Sequence, residues 1–160
     1  MPPPVTSAAP TLGFLIHDVA RLLRRRFEQH ARELGLTRSQ WQTLAYLAPN
    51  EGIQQAGLAE LLEIEPITLV RILDRLEARG LVERRAHPTD RRSKTLYLTE
   101  TARPLLSRIR ALGDLTRAEA LAGLTAEDRA ALTAMLTTMK SNLLEACSLP
   151  AITPGKADHG

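Results

Sequence analysis

The order of apolar and polar residues predicts a chain built mainly of amphipathic helices. Between residues 11 and 34, apolar side chains recur at every third or fourth position, which is the spacing of one helix face. This stripe consists of Leu12, Leu15, Val19, Leu22, Leu23 and Phe27. Gly35 should end the first helix, and Thr37 with Gln40 has the form of a capping box that begins a second. The second helix would carry Trp41, Leu44 and Leu47 inward.

Two further helices joined by a short connection follow. Ile53 should pair briefly as a strand, and residues 55–62 should form the third helix. The residues that this helix would bury are Leu58, Leu61 and Leu62. The connection 63–65 leads to a fourth helix that Pro66 begins and Gly80 ends, because proline suits the first helical turn and glycine the residue after the last. This spacing is typical of a helix-turn-helix.

The fourth helix has one apolar face and one basic face. Leu69, Leu73 and Leu76 lie on the first face, and Thr68, Arg71 and Arg75 lie on the second. After Gly80 the apolar positions alternate with a period of two, so residues 81–86 and 95–98 should pair as a hairpin. The connection between these strands carries Asp90, Arg91 and Arg92 at its tip. A helix-turn-helix followed by such a hairpin is a winged helix.

The basic residues of this region have two explanations. Because Asp74, Glu77 and Glu83 lie among them, the arginines could form an ordinary solvated face with surface ion pairs. Arginines on both a helix and a hairpin tip instead suit a unit that places the helix in a major groove and the loop in the flanking minor groove. The formal net charge of the chain is only +3, yet residues 66–95 carry eight Lys or Arg against four Asp or Glu. This local charge favours a polyanion contact.

A last pair of helices is predicted after the hairpin. Thr99 should cap the first of them, and Pro104 should delay its start or bend it. Thr125 and Asp128 form a capping arrangement for the final helix, after Gly123. The apolar positions of the pair are Leu105, Ile109, Leu112, Leu132, Met135, Leu136, Met139, Leu143 and Leu144. With the first helix, they present more apolar surface than a small winged-helix core can cover, which favours dimerisation over an intrachain three-helix bundle.

Composition is that of an intracellular helical protein. Of 160 residues, 44% are hydrophobic and 3% aromatic, enough for one domain at about 11–148 without disulfides or metal. The single Cys147 permits no internal disulfide and is interpreted as a buried or interfacial hydrophobe. No secretory signal is visible and no apolar run approaches the ~20 residues that span a bilayer, so we expect a cytoplasmic protein without a membrane role. Residues 1–10 and 149–160 should be disordered or loosely docked.

These residues resemble the multiple antibiotic resistance regulator (MarR) family of transcription factors, particularly its SlyA-like branch. The similarity extends from about Leu12 to Leu144, and its strongest part runs from Leu69 to Thr99. It implies a mainly α winged helix-turn-helix protein with a DNA-binding lobe at about 37–98 and dimerisation helices at about 11–34 and 99–148. It also implies an obligate homodimer that binds double-stranded DNA at pseudo-palindromic operators, as a repressor or anti-silencer.

The resemblance further implies which residues meet DNA. Pro66, Thr68 and Arg71 match the family pattern on the fourth helix, and Asp90 and Arg92 match it at the wing. Arg71 would bond a guanine edge, and Arg92 would sense the width of the minor groove. Asp90 would hold a neighbouring arginine rather than face phosphate. The full predicted set is Pro66, Ile67, Thr68, Arg71, Arg75, Asp90, Arg91, Arg92 and Lys94.

Many members of the family bind small aromatic acids where the winged-helix lobe meets the dimerisation helices, and this loosens DNA binding. The candidates here, by position and chemistry, are His17, Arg21, Trp41 and Tyr46. The alternative is structural, because Trp41 and Tyr46 suit plain packing and His17 suits a hydrogen-bonded interface. Oxidant-sensing relatives use a cysteine near the N-terminus, whereas Cys147 lies near the other end. Peroxide sensing is therefore not expected.

Catalysis is not expected either. The four histidines have no metal-ligand spacing, no glycine-rich phosphate loop is present, and no nucleophile has a recognisable activating partner. No cofactor or metal is therefore predicted. The remaining alternative is a winged-helix module that docks protein and does not bind DNA. Arg71 and Arg92 stand where a DNA reader needs them, which favours the regulator.

Overall fold

The computed structural model describes residues 9–152, which form six α-helices and a two-stranded antiparallel sheet. The helices are α1 (Leu12–Ala31), α2 (Arg38–Leu47), α3 (Gln55–Leu62), α4 (Pro66–Ala78), α5 (Ala102–Ala120) and α6 (Ala126–Cys147). The strands are β1 (Val82–Ala86) and β2 (Lys94–Leu98). This order confirms the mainly α fold with a hairpin wing. The loosely docked ends expected at 1–10 and 149–160 lie mostly outside the described residues.

The junction between α1 and α2 follows the predicted signals with one addition. α1 ends at Ala31, earlier than expected, and a 3₁₀ turn at Arg32–Leu34 continues the chain. Gly35 then adopts a φ of 63°, a left-handed conformation that favours glycine. The Thr37 hydroxyl accepts a hydrogen bond from the Gln40 N–H at 3.2 Å, and the Gln40 side chain accepts one from the Thr37 N–H at 3.1 Å. The capping box is therefore confirmed.

α3 and α4 are joined by the short connection that the spacing predicts. Glu63 turns the chain with a φ of 54°, and Pro66 is the first residue of α4. The buried residues of α4 are Leu69, Leu73 and Leu76, as predicted. Fully burying a leucine contributes about 1.5–3 kcal/mol, so this face fixes the helix in place. In α3, Leu58 is buried but Leu61 is 45% exposed, so the prediction that Leu61 belongs to the core is wrong.

β2 is paired on both of its edges. β1 and β2 pair antiparallel and are joined by residues 87–93, as the pattern predicts. On the outer edge of β2, Gln54 makes an isolated bridge to Thr95, and the Ile53 carbonyl accepts a hydrogen bond from the Leu96 N–H at 3.0 Å. The brief strand pairing expected near Ile53 is thus confirmed, and it joins the base of the wing to the residues ahead of α3.

α5 begins without the cap that the sequence suggests. The Thr99 hydroxyl donates to the Gly80 carbonyl at 2.6 Å, and the helix starts at Ala102. The prediction of Thr99 as a cap is therefore wrong, because its side chain has another partner. Pro104 is the third helical residue, within the first turn, where the missing N–H costs no intrahelical bond. The late start that Pro104 predicts is confirmed.

α5 packs against the C-terminal half of α1. Phe27 and Ile109 are buried in one hydrophobic core, and a Cβ at Gly113 would lie only 4.0 Å from the Phe27 ring. Of the predicted α1 stripe, only Phe27 is buried. The other members are 36–63% exposed, namely Leu12, Leu15, Val19, Leu22 and Leu23. The first half of α1 therefore has an apolar face that the described residues leave open.

An ion-pair cluster also joins α1 to α5. The Arg26 guanidinium donates to both carboxylate oxygens of Glu119, at 2.6 and 2.9 Å, and His30 Nε2 lies 3.2 Å from Glu119 Oε1. These groups, with Arg26 the largest cause, lower the pKa of Glu119 to about 2. The same hydrogen bond raises the pKa of Arg26. Glu119 therefore keeps its charge in acidic solution.

α6 belongs to a second compact unit, which begins at Leu121. The Thr125 hydroxyl accepts from the Asp128 N–H at 3.1 Å, and the Asp128 carboxylate accepts from the Thr125 N–H at 3.2 Å. This confirms the predicted capping arrangement. Arg129 extends it by donating to the carbonyls of Leu124 and Leu121, at 3.1 and 3.0 Å. α6 itself has no buried residue.

Candidate nucleic-acid interface

α4 presents a polar face to solvent, opposite the leucines that it buries. The exposed residues of this face are Pro66, Ile67, Thr68, Arg71 and Arg75. Ile67 is 62% exposed, which leaves an apolar side chain accessible beside Arg71. The five residues that the sequence predicts on this helix thus share one accessible surface.

A cleft of about 340 Å³ lies between this face and the start of α2. It is lined by Thr37, Ser39, Gln40, Thr68, Arg71, Ile72 and Arg75. Hydroxyl and guanidinium groups on its walls are donors that suit phosphate oxygens. The contribution of Ser39 was not predicted from the sequence. The capping box at Thr37 located the start of α2 but gave no indication that it lies beside α4.

The loop between β1 and β2 is shaped by its own hydrogen bonds. Asp90 Oδ1 accepts from the Arg92 N–H at 2.9 Å, and the Asp90 carbonyl accepts from the Ser93 N–H at 3.1 Å. The His87 N–H closes the loop on the Ser93 carbonyl at 3.1 Å. Asp90 thus contacts Arg92 through the backbone and not through the guanidinium. The side chains of Arg91 and Arg92 are exposed at the tip.

Three carboxylates near this surface are paired with two other arginines. Asp74 and Glu77 contact Arg84, and Glu83 contacts Arg85 at 3.2 Å. The Glu83 hydrogen bond raises the pKa of Arg85. Within residues 9–152, no ion pair forms with Arg71, Arg75, Arg91, Arg92 or Lys94. The ion-pair explanation of the basic region therefore covers Arg84 and Arg85 but leaves these five cations free.

The four candidate ligand residues do not line one cavity. Trp41 packs against Phe27, with ring centroids 4.3 Å apart, and borders a cavity of about 620 Å³ between α1 and α2. The polar residues that line this cavity are Arg25, Glu28, Gln29, Arg32 and Arg38. His17, Arg21 and Tyr46 are exposed and lie outside this lining, so their ligand role stays a prediction. The arginines beside Trp41 were not predicted because their convergence depends on how α1 packs against α2.

Other chemically reactive groups add little to this surface. Cys147 is exposed at the end of α6, so its prediction as a buried residue is wrong for the single chain, and an interfacial position stays a prediction. The described residues contain no group of three or more His, Cys, Asp or Glu side chains that could hold a metal. Over the same part of the chain, no helix combines the length and apolarity needed to cross a membrane.

A helix-turn-helix, a following hairpin and free cations on both define a winged helix-turn-helix protein. Comparison with known proteins agrees. The model of the MarR family matches residues 34–93. The transcriptional regulator PA3341, of known crystal structure, is 32% identical and superposes with a TM-score of 0.75, over 84% of this chain and 99% of that one. The chain belongs to the MarR family of transcriptional regulators.

Two further crystal structures share the fold. The transcriptional regulator SlyA is 28% identical over 86% of this chain and 96% of its own, with a TM-score of 0.74. A cysteine-to-serine variant of MarR from E. coli, complexed with operator DNA, is 29% identical over 80% of this chain and 92% of its own, with a TM-score of 0.69. These nearly equal identities do not separate the SlyA-like branch from MarR itself. Membership in a family of transcriptional regulators confirms that the chain is not an enzyme.

Proposed function

We propose that this protein is a dimeric, sequence-specific DNA-binding regulator of transcription that acts in the cytoplasm as a repressor or anti-silencer. One observation carries the proposal: the cations of α4 and the wing have no carboxylate partner among the described residues. This set, called the basic surface below, consists of Arg71, Arg75, Arg91, Arg92 and Lys94. Free cations are available to phosphates, and neutralising phosphates releases counterions from DNA. Within the family, we propose that the chain belongs to the SlyA-like branch.

α4 would enter the major groove of the operator. A helix fits this groove, which is ~12 Å wide, and the polar face of α4 is the exposed one. Arg71 can donate to guanine O6 and N7 together, a contact worth about 1–3 kcal/mol of discrimination. The exposed Ile67 can contact a thymine methyl group. Ser39, at the start of α2, would meet the backbone phosphates that border the groove.

The wing would reach the adjoining minor groove. Its tip carries the exposed Arg91 and Arg92 on a loop whose shape is set by Asp90. A narrow minor groove has an enhanced negative potential that attracts an inserted arginine. The wing therefore adds selectivity for DNA shape to the base contacts of α4.

A dimer would present two copies of the basic surface to a pseudo-palindromic operator. The large exposed apolar residues of α1 are Leu12, Phe14, Leu15, Ile16, Val19, Leu22 and Leu23. Those of α6 include Met135, Leu136, Leu143 and Leu144. Contiguous apolar stripes of this kind mark interfaces, and a two-fold dimer would place its lobes about one duplex turn apart, ~34–36 Å. A monomer in sedimentation would favour an intrachain bundle instead.

The effector is proposed to be a small aromatic carboxylate that loosens DNA binding. The cavity beside Trp41 supports this, because an indole and the guanidinium groups of its lining can recognise a ring and a carboxylate together. Trp41 is the single tryptophan of the sequence and lines this cavity, so its fluorescence can follow binding there. Saturable quenching by salicylate that also weakens DNA binding is expected. Quenching that stays linear with salicylate concentration would exclude this cavity as the effector site.

Selection of bound fragments from a random DNA pool tests the main proposal. We expect enrichment of a pseudo-palindromic sequence, with a log–log salt slope of about −0.9 for each phosphate neutralised. The double variant Arg71→Ala with Arg92→Ala should lose this binding. Arg110→Ala with Arg117→Ala, which removes the same charge from α5, should retain it. A pool without enrichment and a flat salt response would favour the alternative, a winged-helix module that docks protein.

A further inference from the structure

Arg84 and Arg85 are neighbours on β1, but their side chains have different surroundings. The side chain of Arg84 is 17% exposed, whereas that of Arg85 is 53% exposed. Strand alternation turns Arg84 toward α4 and Arg85 away from it. A guanidinium covered to this extent and paired with carboxylates is poorly placed to neutralise a phosphate. The role of the Arg84 side chain is therefore not direct contact with DNA.

The guanidinium of Arg84 contacts two consecutive turns of α4. Nη1 lies 2.8 Å from Asp74 Oδ1 and 3.7 Å from Glu77 Oε1. Nη2 donates to the Val70 carbonyl at 3.1 Å. The spacing of these partners, four and then three positions, places them on one side of the helix. Nε is buried without a partner in the described chain, so the two Nη groups make all of the polar contacts.

The partners of Arg84 adjoin the residues proposed to read DNA. Val70 directly precedes Arg71, and Asp74 directly precedes Arg75. Arg84 itself belongs to the strand that leads to the wing tip. One side chain thus links the backbone of α4, at the turn that carries its DNA-facing arginines, to the hairpin that carries the others.

We propose that Arg84 is a positioning residue that fixes the wing relative to α4, so that both elements meet their grooves at once. The inference rests on the proposed DNA-binding function and adds that the contact made by the wing depends on this link. A surface already in its binding geometry has less ordering cost when DNA binds. The tip is the part of the hairpin farthest from the core. When the link is lost, the contact of this tip with DNA therefore weakens first.

A double-mutant cycle between Arg84 and Arg92 tests the proposal. Arg92 lies at the wing tip and takes no part in the contacts of Arg84, so independent roles would give additive losses. Full-length variants are titrated against the enriched DNA fragment by fluorescence anisotropy. We expect Arg92→Ala to weaken binding roughly tenfold in the wild-type background but less than about threefold in the Arg84→Gln background.

Three further backgrounds serve as a control, a substitute and an intermediate case. Arg85→Gln removes the same charge from the next residue of β1 without touching α4, so Arg92→Ala should keep its full effect there. Asp74→Ala removes the acceptor of Arg84 Nη1 from a side chain that is 58% exposed, and it replaces Arg84→Gln if the latter does not fold. It should likewise diminish the effect of Arg92→Ala. Arg84→Lys should be intermediate, because an ammonium keeps the charge but cannot span both turns.

The outcomes separate the two levels of the hypothesis. If Arg92→Ala causes the same loss of DNA affinity in every background while the wild type still binds, the positioning role alone is overturned. A wild-type protein that enriches no DNA would overturn the proposed function and this inference together. A merely structural role of Arg84 would lower the melting temperature while leaving the losses equal, so the cycle distinguishes it from positioning.

Discussion

The carboxylate of Asp90 and the backbone N–H of Arg92 are joined by a hydrogen bond of 2.9 Å at the tip of the wing. A negative charge at this place opposes the approach of a polyanion. The hydrogen bond nevertheless fixes the backbone from which the Arg92 guanidinium extends. Asp90 therefore supports binding through the shape of the loop and opposes it through charge, and the two effects can be separated by substitution.

Asp90→Ala should weaken operator binding even though it removes a repulsive charge. The lost hydrogen bond is worth about 1 kcal/mol, which corresponds to roughly a fivefold increase in Kd. Asp90→Asn keeps an acceptor oxygen and should bind as well as the wild type or better. Glu65→Gln is the control for charge alone, because Glu65 precedes α4 and makes no side-chain capping bond. Fluorescence anisotropy measures all three, and tighter binding by Asp90→Ala would show that charge dominates.

Arg92→Ala should weaken operator binding by about 1–3 kcal/mol and leave the dimer intact. The reason is that the Arg92 side chain is exposed at the loop tip and contributes nothing to the core. Gel-shift titration and sedimentation measure the two properties. Arg110→Ala, an exposed arginine of α5, should change neither. An unchanged affinity of the Arg92 variant would count against the wing assignment.

Leu15→Glu should separate the proposed dimer into monomers. Burying a leucine contributes about 1.5–3 kcal/mol in each protomer, and the substituted carboxylate would have to be desolvated there. Leu61→Glu is a matched control, because Leu61 is 45% exposed and Leu15 is 46% exposed, but Leu61 lies on α3. Sedimentation velocity should detect monomers for Leu15→Glu only. Dimers in both variants would exclude the first half of α1 from the interface.

The Arg26–Glu119 pair should make the free energy of unfolding depend on pH in the acidic range. The pKa of Glu119 is lowered in the folded protein to about 2, below the ordinary value near 4.3 of an unfolded chain. The pair therefore stabilises the fold fully above about pH 5, and this contribution is lost as pH falls toward 2. Melting temperatures between these pH values should fall less steeply in Arg26→Gln than in the wild type. Arg24→Gln, a change two positions away, should retain the wild-type slope, and an identical slope in Arg26→Gln would contradict the assignment.

Local signals explain the parts of the fold that sequence could predict. The capping boxes at Thr37 and Thr125 need only residues within one helical turn. Pro66 and Gly80 bound α4 through their own backbone preferences, which do not depend on distant contacts. The basic surface was predictable for the same reason, because α4 and the strands that flank the hairpin tip are regular elements with fixed periods.

Partners distant in sequence explain what could not be predicted. Thr99 is a residue type that often caps helices, but its hydroxyl donates a hydrogen bond to the Gly80 carbonyl on the other side of the hairpin. Arg84 and Arg85 are identical neighbours in the sequence, and only the packing of β1 on α4 distinguishes them. The arginines around Trp41 likewise converge only when α1 and α2 pack together.

The outer edge of β2, which does not face β1, is hydrogen-bonded to the residues that precede α3. Gly52 donates to the Leu96 carbonyl at 2.8 Å, and the Glu51 carboxylate accepts from the Leu98 N–H at 2.8 Å. The uncovered end of the strand begins with the charged, exposed Lys94. Unpaired strand edges invite association with other chains, and lysine discourages it. This edge of β2 is thus protected from pairing with strands of other chains.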